Sequence, residues 1–223
     1  VALYRGATAR IVGNVIQRGN GAGVGVTWDS QATVINNRVS GYWKGIGSFG
    51  TSGVVVHNNF VFDQLGWGII ASGESSMDIV NNVVARNGNC GLVVWDWSGL
   101  TSGRVANNIV SGNGTDAAWV CPRVGLVLGG FGGGVPGGWT VEYNDSFGNP
   151  DGDFVYWDGS SAAGVVTPEA LAGSDGNLSE DPLFTSAIDF HLETGSPCID
   201  AGDPAILDLD SSRSDIGGYG GPD

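Results

Sequence analysis

Three carboxylates stand among aromatic residues in a way that suits sugar chemistry: Asp29 after Trp28, Glu74, and Asp96 between Trp95 and Trp97. A carboxylate pair cleaves a glycosidic bond when one member donates a proton and the other activates water or attacks the sugar. The rings of Tyr4, Trp28, Phe49, Trp95, Trp97 and Trp157 are flat platforms of the kind that hold a polysaccharide. A second set, Lys44 and Arg86 with Asp63, has what a uronate lyase needs: a base for the proton beside the carboxylate and a cation for the resulting enolate. Simple ion pairing of Asp63 with Arg18 or Arg86 competes with that reading. His57 reads as a surface histidine. In the tail, Asp208, Asp210 and Asp215 invite calcium, which takes about six to eight oxygens. Their spacing matches no EF-hand, and loop capping or plain solvation competes. No other cofactor is expected.

Composition narrows the setting. The chain has 223 residues, 41% of them hydrophobic, with 40 glycines and one methionine. That balance favours short strands and tight turns over helices. No apolar run approaches the ~20 residues of a membrane span, so no membrane partner is expected. No leader peptide is recognisable at Val1, so the reading expects a trimmed product. The formal charge of −14 argues against nucleic acid, which calls for a basic face. Charge is also unevenly placed. Residues 1–144 hold seven acids and eight bases, whereas residues 145–223 hold sixteen acids and Arg213 as their one base.

These residues must be positioned by a repeat. Val34-Ile35-Asn36-Asn37-Arg38-Val39, Val56-His57-Asn58-Asn59-Phe60-Val61, Ile79-Val80-Asn81-Asn82-Val83-Val84 and Val105-Ala106-Asn107-Asn108-Ile109-Val110 share one pattern. Weaker copies contain Asn14 and Asn144. The spacing starts at 22 or 23 residues, the length of one turn of a parallel β-solenoid. The second asparagine of each copy should point inward and bond its counterparts above and below. A glycine and an apolar residue follow most copies, as in Gly45-Ile46, Gly68-Ile69 and Gly91-Leu92.

The repeat resembles the right-handed parallel β-helix family of the pectin-lyase-like superfamily. The tail adds to the likeness through Asp181-Pro182-Leu183-Phe184, Ser196-Pro197-Cys198-Ile199-Asp200-Ala201-Gly202 and Asp215-Ile216-Gly217-Gly218-Tyr219. These resemble the closing segment of secreted bacterial β-helix proteins. The expected fold is all-β: a single-stranded right-handed parallel β-helix (solenoid) of about six rungs over residues 1–159. Residues 160–223 form an irregular acidic C-terminal segment that caps it or packs on it. The superfamily holds hydrolases, lyases, epimerases and non-enzymes, so the resemblance carries architecture further than chemistry.

Alternation along the strand after each glycine places Val24, Ile46, Ile69, Leu92, Leu126 and Phe154 inside. Tyr4, Thr27, Phe49, Ser72, Trp95, Gly129 and Trp157 then form one outer column, and Asp29 and Glu74 share another. With rungs ~4.8 Å apart, Asp29 and Glu74 lie roughly 9.6 Å apart, at the upper edge of the ~6.5–9.5 Å range of inverting glycosidases. Glu74 and Asp96 are one rung apart, nearer a retaining pair. The apolar outer column of Ile70, Val93, Val127 and Val155 calls for a cover, and the tail folding over the aromatics is the alternative to an open groove.

Cys90 and Cys121 fall on adjacent rungs and are candidates for a disulfide, with Cys198 a buried thiol. A disulfide suits an exported protein, and an extracellular location is expected. Val1 enters in mid-rung, which suggests a missing N-terminal segment or an end-to-end homodimer. The leading function is polysaccharide hydrolysis, with a lyase and a non-catalytic glycan-binding or surface-display module as alternatives.

Overall fold

The computed structural model describes residues 1–96, 98–118, 122–130, 137–157, 164–171 and 175–222. The repeat folds as a parallel solenoid in which each coil gives one strand to each of three sheets. Sheet A takes Ala2–Tyr4, Ala22–Thr27, Lys44–Phe49, Trp67–Ser72, Leu92–Asp96, Leu126–Gly130 and Phe154–Trp157 in chain order. Sheet B takes Thr8–Val12, Gln31–Ile35, Gly53–His57, Ser76–Val80, Ser102–Ala106 and Trp139–Glu142. Sheet C takes Val15–Gln17, Arg38–Ser40, Phe60–Phe62, Val83–Ala85, Ile109–Ser111 and Asp145–Phe147. The six strands of sheets B and C match the expected six rungs. Gly164–Val166 joins sheet A antiparallel to Phe154–Trp157.

Register follows from burial. Val24, Ile46, Ile69, Leu92, Leu126 and Phe154 pair in succession across sheet A and are all fully buried. A one-residue slip would turn this whole column into water. The glycine before each of the first five members is required by space. A Cβ on Gly68 would run into Val84 and the Gly91 carbonyl.

The second asparagines form the expected ladder. The side-chain amide of Asn37 donates to Asn59 at 2.9 Å, Asn59 to Asn82 at 3.0 Å, Asn82 to Asn108 at 2.9 Å and Asn108 to Asn144 at 2.9 Å. Asn14 opens the column on Asn37, and Asn144 passes it on to Asn177 at 3.1 Å. A second ladder stands five residues further along the third to sixth coils. There Asn87 accepts the Gln64 N–H, Asn87 donates to Asn113 at 2.8 Å, and Asn113 to Asn149 at 3.1 Å. Among the described residues, no buried side-chain polar atom lacks a partner. That completeness is what makes so many interior amides tolerable.

From Leu178 on, the C-terminal segment lies on the outer face of sheet C. Phe190, Cys198 and Ile216 pack there against Phe60, Val83, Ala85 and Ile109. The rings of Phe60 and Phe190 stack at 5.8 Å. The first asparagines of the repeat make the polar half of this contact. Asn58 donates to Gly220 at 2.6 Å, Asn81 to Asp215 at 3.0 Å, and Asn107 accepts from the Asp203 N–H at 2.7 Å. All three have left-handed backbones, which asparagine adopts more readily than most residues.

Candidate functional site

With the tail on sheet C, the described aromatics of sheet A fall into two groups. Tyr4, Trp28 and Phe49 form the first, on three successive coils, with 48%, 43% and 49% of their surface exposed. Trp28 sits between the other two, its ring centroid 4.9 Å from Tyr4 and 6.2 Å from Phe49, both edge-to-face. Its backbone is left-handed at φ 44°, and so is that of Asp29 at φ 61°. That conformation is costly for a bulky side chain. The next two coils have Gly50 and Gly73 at the corresponding turn, also left-handed. The Trp28 ring lies where a Cβ on Gly50 would be. The guanidinium of Arg5 stands over the Tyr4 ring at 5.1 Å.

Beside these rings the wall of sheet A is low. Its central outer column reads Ala2, Gly25 and Gly47 in the first three coils, then Ile70, Val93, Val127 and Val155. The stem of Lys44 runs next to Gly47, at 3.1 Å from where its Cβ would lie. The result is a shallow trough beside the rings, in which Gly25 is half-buried and Gly47 is buried under the Lys44 stem and Ile70. Small residues in an outward column were the sequence signal for it, and it was missed.

The second group is different. Val93, Val127 and Val155 were expected to be exposed, yet they are buried with Cys90 and Val124. Trp67, Ile70, Trp95 and Trp157 pack against them. Trp95 and Trp157 approach to 4.3 Å, edge-to-face, and are half-buried. Alternation predicts direction correctly here but not depth: large rings fold down over small β-branched neighbours and take them out of water. Trp97 lies outside the described residues, as does Cys121, the expected partner of Cys90. Cys198 carries a free thiol and is buried.

The candidate carboxylates separate as well. Asp29 is exposed and accepts a hydrogen bond from the Thr51 hydroxyl one coil on. Glu74 is exposed two coils from Asp29. Asp96 is only 9% exposed, and its Oδ1 accepts the N–H groups of Leu100 at 3.2 Å and Thr101 at 3.3 Å. Its side chain turns in to hold the loop after sheet A, whereas Glu74 is exposed.

Arg86 is committed too. Its Nε and Nη2 donate to both oxygens of Asp63 at 3.0 and 3.1 Å, and its guanidinium stands over Phe62 and Phe190. Lys44 belongs to sheet A, so the two cations of the lyase reading lie on different walls. His57 has a partner: its Nε2 lies 3.0 Å from Asp78 on the outer face of sheet B. A shallow groove of about 490 Å3 runs along that face past Arg10, Thr33 and Asp78.

Among the described residues, no three His, Cys, Asp or Glu side chains converge as metal ligands. Asp208 accepts the N–H groups of Asp215 and Gly221, Asp210 that of Ser212, and Asp215 that of Asp200. The tail acids therefore act as loop caps in this fold.

The model of the right-handed β-helix region matches residues 1–135. This chain belongs to the right-handed β-helix family. No curated protein and no solved structure gives a match. The hand agrees with the strong preference for right-handed crossovers between parallel strands of one sheet. In this β-helix, then, the outer wall of sheet C is covered by the tail, while sheet A carries a buried apolar cluster in its later coils and leaves the rings of Tyr4, Trp28 and Phe49 in water in its early ones.

Proposed function

We propose that this β-helix protein is carbohydrate-active and binds a polysaccharide along the first coils of sheet A. Trp28 carries the proposal: a bulky residue held in a left-handed turn, seated over Gly50, flanked by Tyr4 and Phe49, and still 43% exposed. Local backbone strain at an exposed ring has a use if the ring meets a ligand. The rings offer apolar faces to the C–H groups of a sugar. Asp29 and Glu74 are the carboxylates left for hydrolysis, on exposed turns two coils apart, with Thr51 on the coil between them donating to Asp29. On this reading the protein works outside the cell, as secreted proteins with a similar closing segment do.

Non-catalytic glycan binding is the second reading, and Asp96 favours it. Once that carboxyl is used by its loop, one of the three candidate acids is gone and the close pair with it. Product analysis separates the two. Incubation with a panel of polysaccharides should release new reducing ends without ultraviolet-absorbing unsaturated uronides. Retention on the same polysaccharides with no product of either kind assigns the trough to binding alone.

A further inference from the structure

Under the C-terminal segment, the outer column of sheet C runs Arg38, Phe60, Val83, Ile109 and then Asp145. Asp145 has no exposed surface. One oxygen, Oδ1, accepts the Glu180 N–H at 3.0 Å, and Oδ2 lies 3.5 Å from the Cys198 thiol. Leu178 bridges to it through the backbone. Both side-chain contacts therefore come from the segment that covers it. Among the described residues no cation pairs with it. The ionisable groups around it are Asp153 from the loop after its own strand, and Glu180 and Cys198 from the tail, with Asp215 acting on Cys198. Asp153 is itself held by the Ser179 hydroxyl at 2.8 Å and by the Asn149 amide at 2.8 Å. Burial and neighbouring acids disfavour the ionised form of such a carboxyl, although its two accepted hydrogen bonds partly offset this.

We propose that the C-terminal segment is a pH-released strap, docked on sheet C while Asp145 is protonated and loosened when Asp145 ionises. Burial is the main cause that pushes the Asp145 pKa up from 3.8 to about 7. The hydrogen bonds from the Glu180 N–H and the Cys198 thiol pull the other way, and the charges of Asp153 and Glu180 add to the rise. A released carboxyl titrates near ~4, so between there and about 7 the docked state holds one more proton than the released state. Docking is thus strongest in acid and weakens as pH rises through that window. Burial and the Asp145 charge push the Cys198 thiol up, so it keeps its proton throughout. Release uncovers Phe60, Val83 and Ile109 and detaches the outward amides of Asn58, Asn81 and Asn107.

Hydrogen exchange of the whole chain from pH 5 to pH 8, corrected for intrinsic rates, tests the strap. Amides of the tail around residues 178–200 should lose protection by up to about tenfold per pH unit below the Asp145 midpoint, while coil amides hold theirs. Asp145→Asn should keep the tail protected at pH 8. A pH-independent tail in the wild type, or the same pH profile in Asp145→Asn, overturns the proposal. Should that variant fail to fold, infrared spectroscopy of the wild type decides. A protonated-carboxyl band at pH 6 that fades in step with tail protection supports the strap, and its absence at pH 6 overturns it.

Discussion

Asn81 and Asn82 are neighbours whose side chains work in opposite directions. Asn82 points into the coil, where its Oδ1 accepts from Asn59 and its amide donates to Asn108 and to the Val56 carbonyl. Asn81 is left-handed at φ 54° and points out, donating to the Asp215 carbonyl of the tail. One holds coil to coil, and the other holds the tail to the coils.

The two asparagines should therefore fail differently. Asn82→Ala leaves several buried donors and acceptors unmatched and should cost about 3–5 kcal/mol of global stability. Asn81→Gly keeps the turn and removes only the outward bonds, so it should cost about 1 kcal/mol. Urea unfolding measures the first, and exchange of tail amides should localise the second.

Trp28→Ala should weaken polysaccharide binding by about tenfold or more, since a stacked ring contributes on the order of 1–2 kcal/mol. The ring is exposed and tops no core, so the melting temperature should stay close to that of the wild type. Affinity electrophoresis beside thermal unfolding reads both.

Asp96 and Asp29 should separate stability from activity. Asp96→Ala removes the acceptor for Leu100 and Thr101 and should destabilise by about 1–3 kcal/mol without abolishing binding. Asp29→Asn and Glu74→Gln should leave unfolding unchanged and remove whatever hydrolysis the wild type shows. Denaturation curves and reducing-end assays on all three variants distinguish the roles.

Much of this fold was legible because a solenoid writes each contact twice, once in space and once in the repeat. Asn37, Asn59 and Asn82 recur at the rung period, and the column from Val24 to Phe154 followed from alternation alone. The second ladder was equally readable, since Gln64, Asn87, Asn113 and Asn149 each stand five residues after a first-ladder asparagine. The landing place of the tail was not. Its contacts, such as Asn81 with Asp215 at a separation of 134 residues, belong to no period. The doubled asparagine was the available hint, because an inner ladder needs only one per coil. At the site, Asp96 misled because its neighbours are tryptophans, while its own carboxyl is spent on backbone N–H groups a few residues on.

Calcium offers another check. The tail carboxylates Asp208, Asp210 and Asp215 already accept backbone N–H groups, so they need no ion to be held in place. Thermal unfolding with added calcium and again with excess chelator should give the same midpoint. A rise of several degrees with calcium would show that these loops gather ligands around an ion instead.

The most direct measurement is affinity electrophoresis of the wild type and of the triple variant Tyr4→Ala, Trp28→Ala, Phe49→Ala through gels holding a panel of soluble neutral and acidic polysaccharides. The wild type should be retarded by at least one of them, and the triple variant, with an unaltered melting temperature, should run free in that gel. Equal retardation of both proteins, or free migration of the wild type through every gel, would contradict a sugar site on the first coils of sheet A.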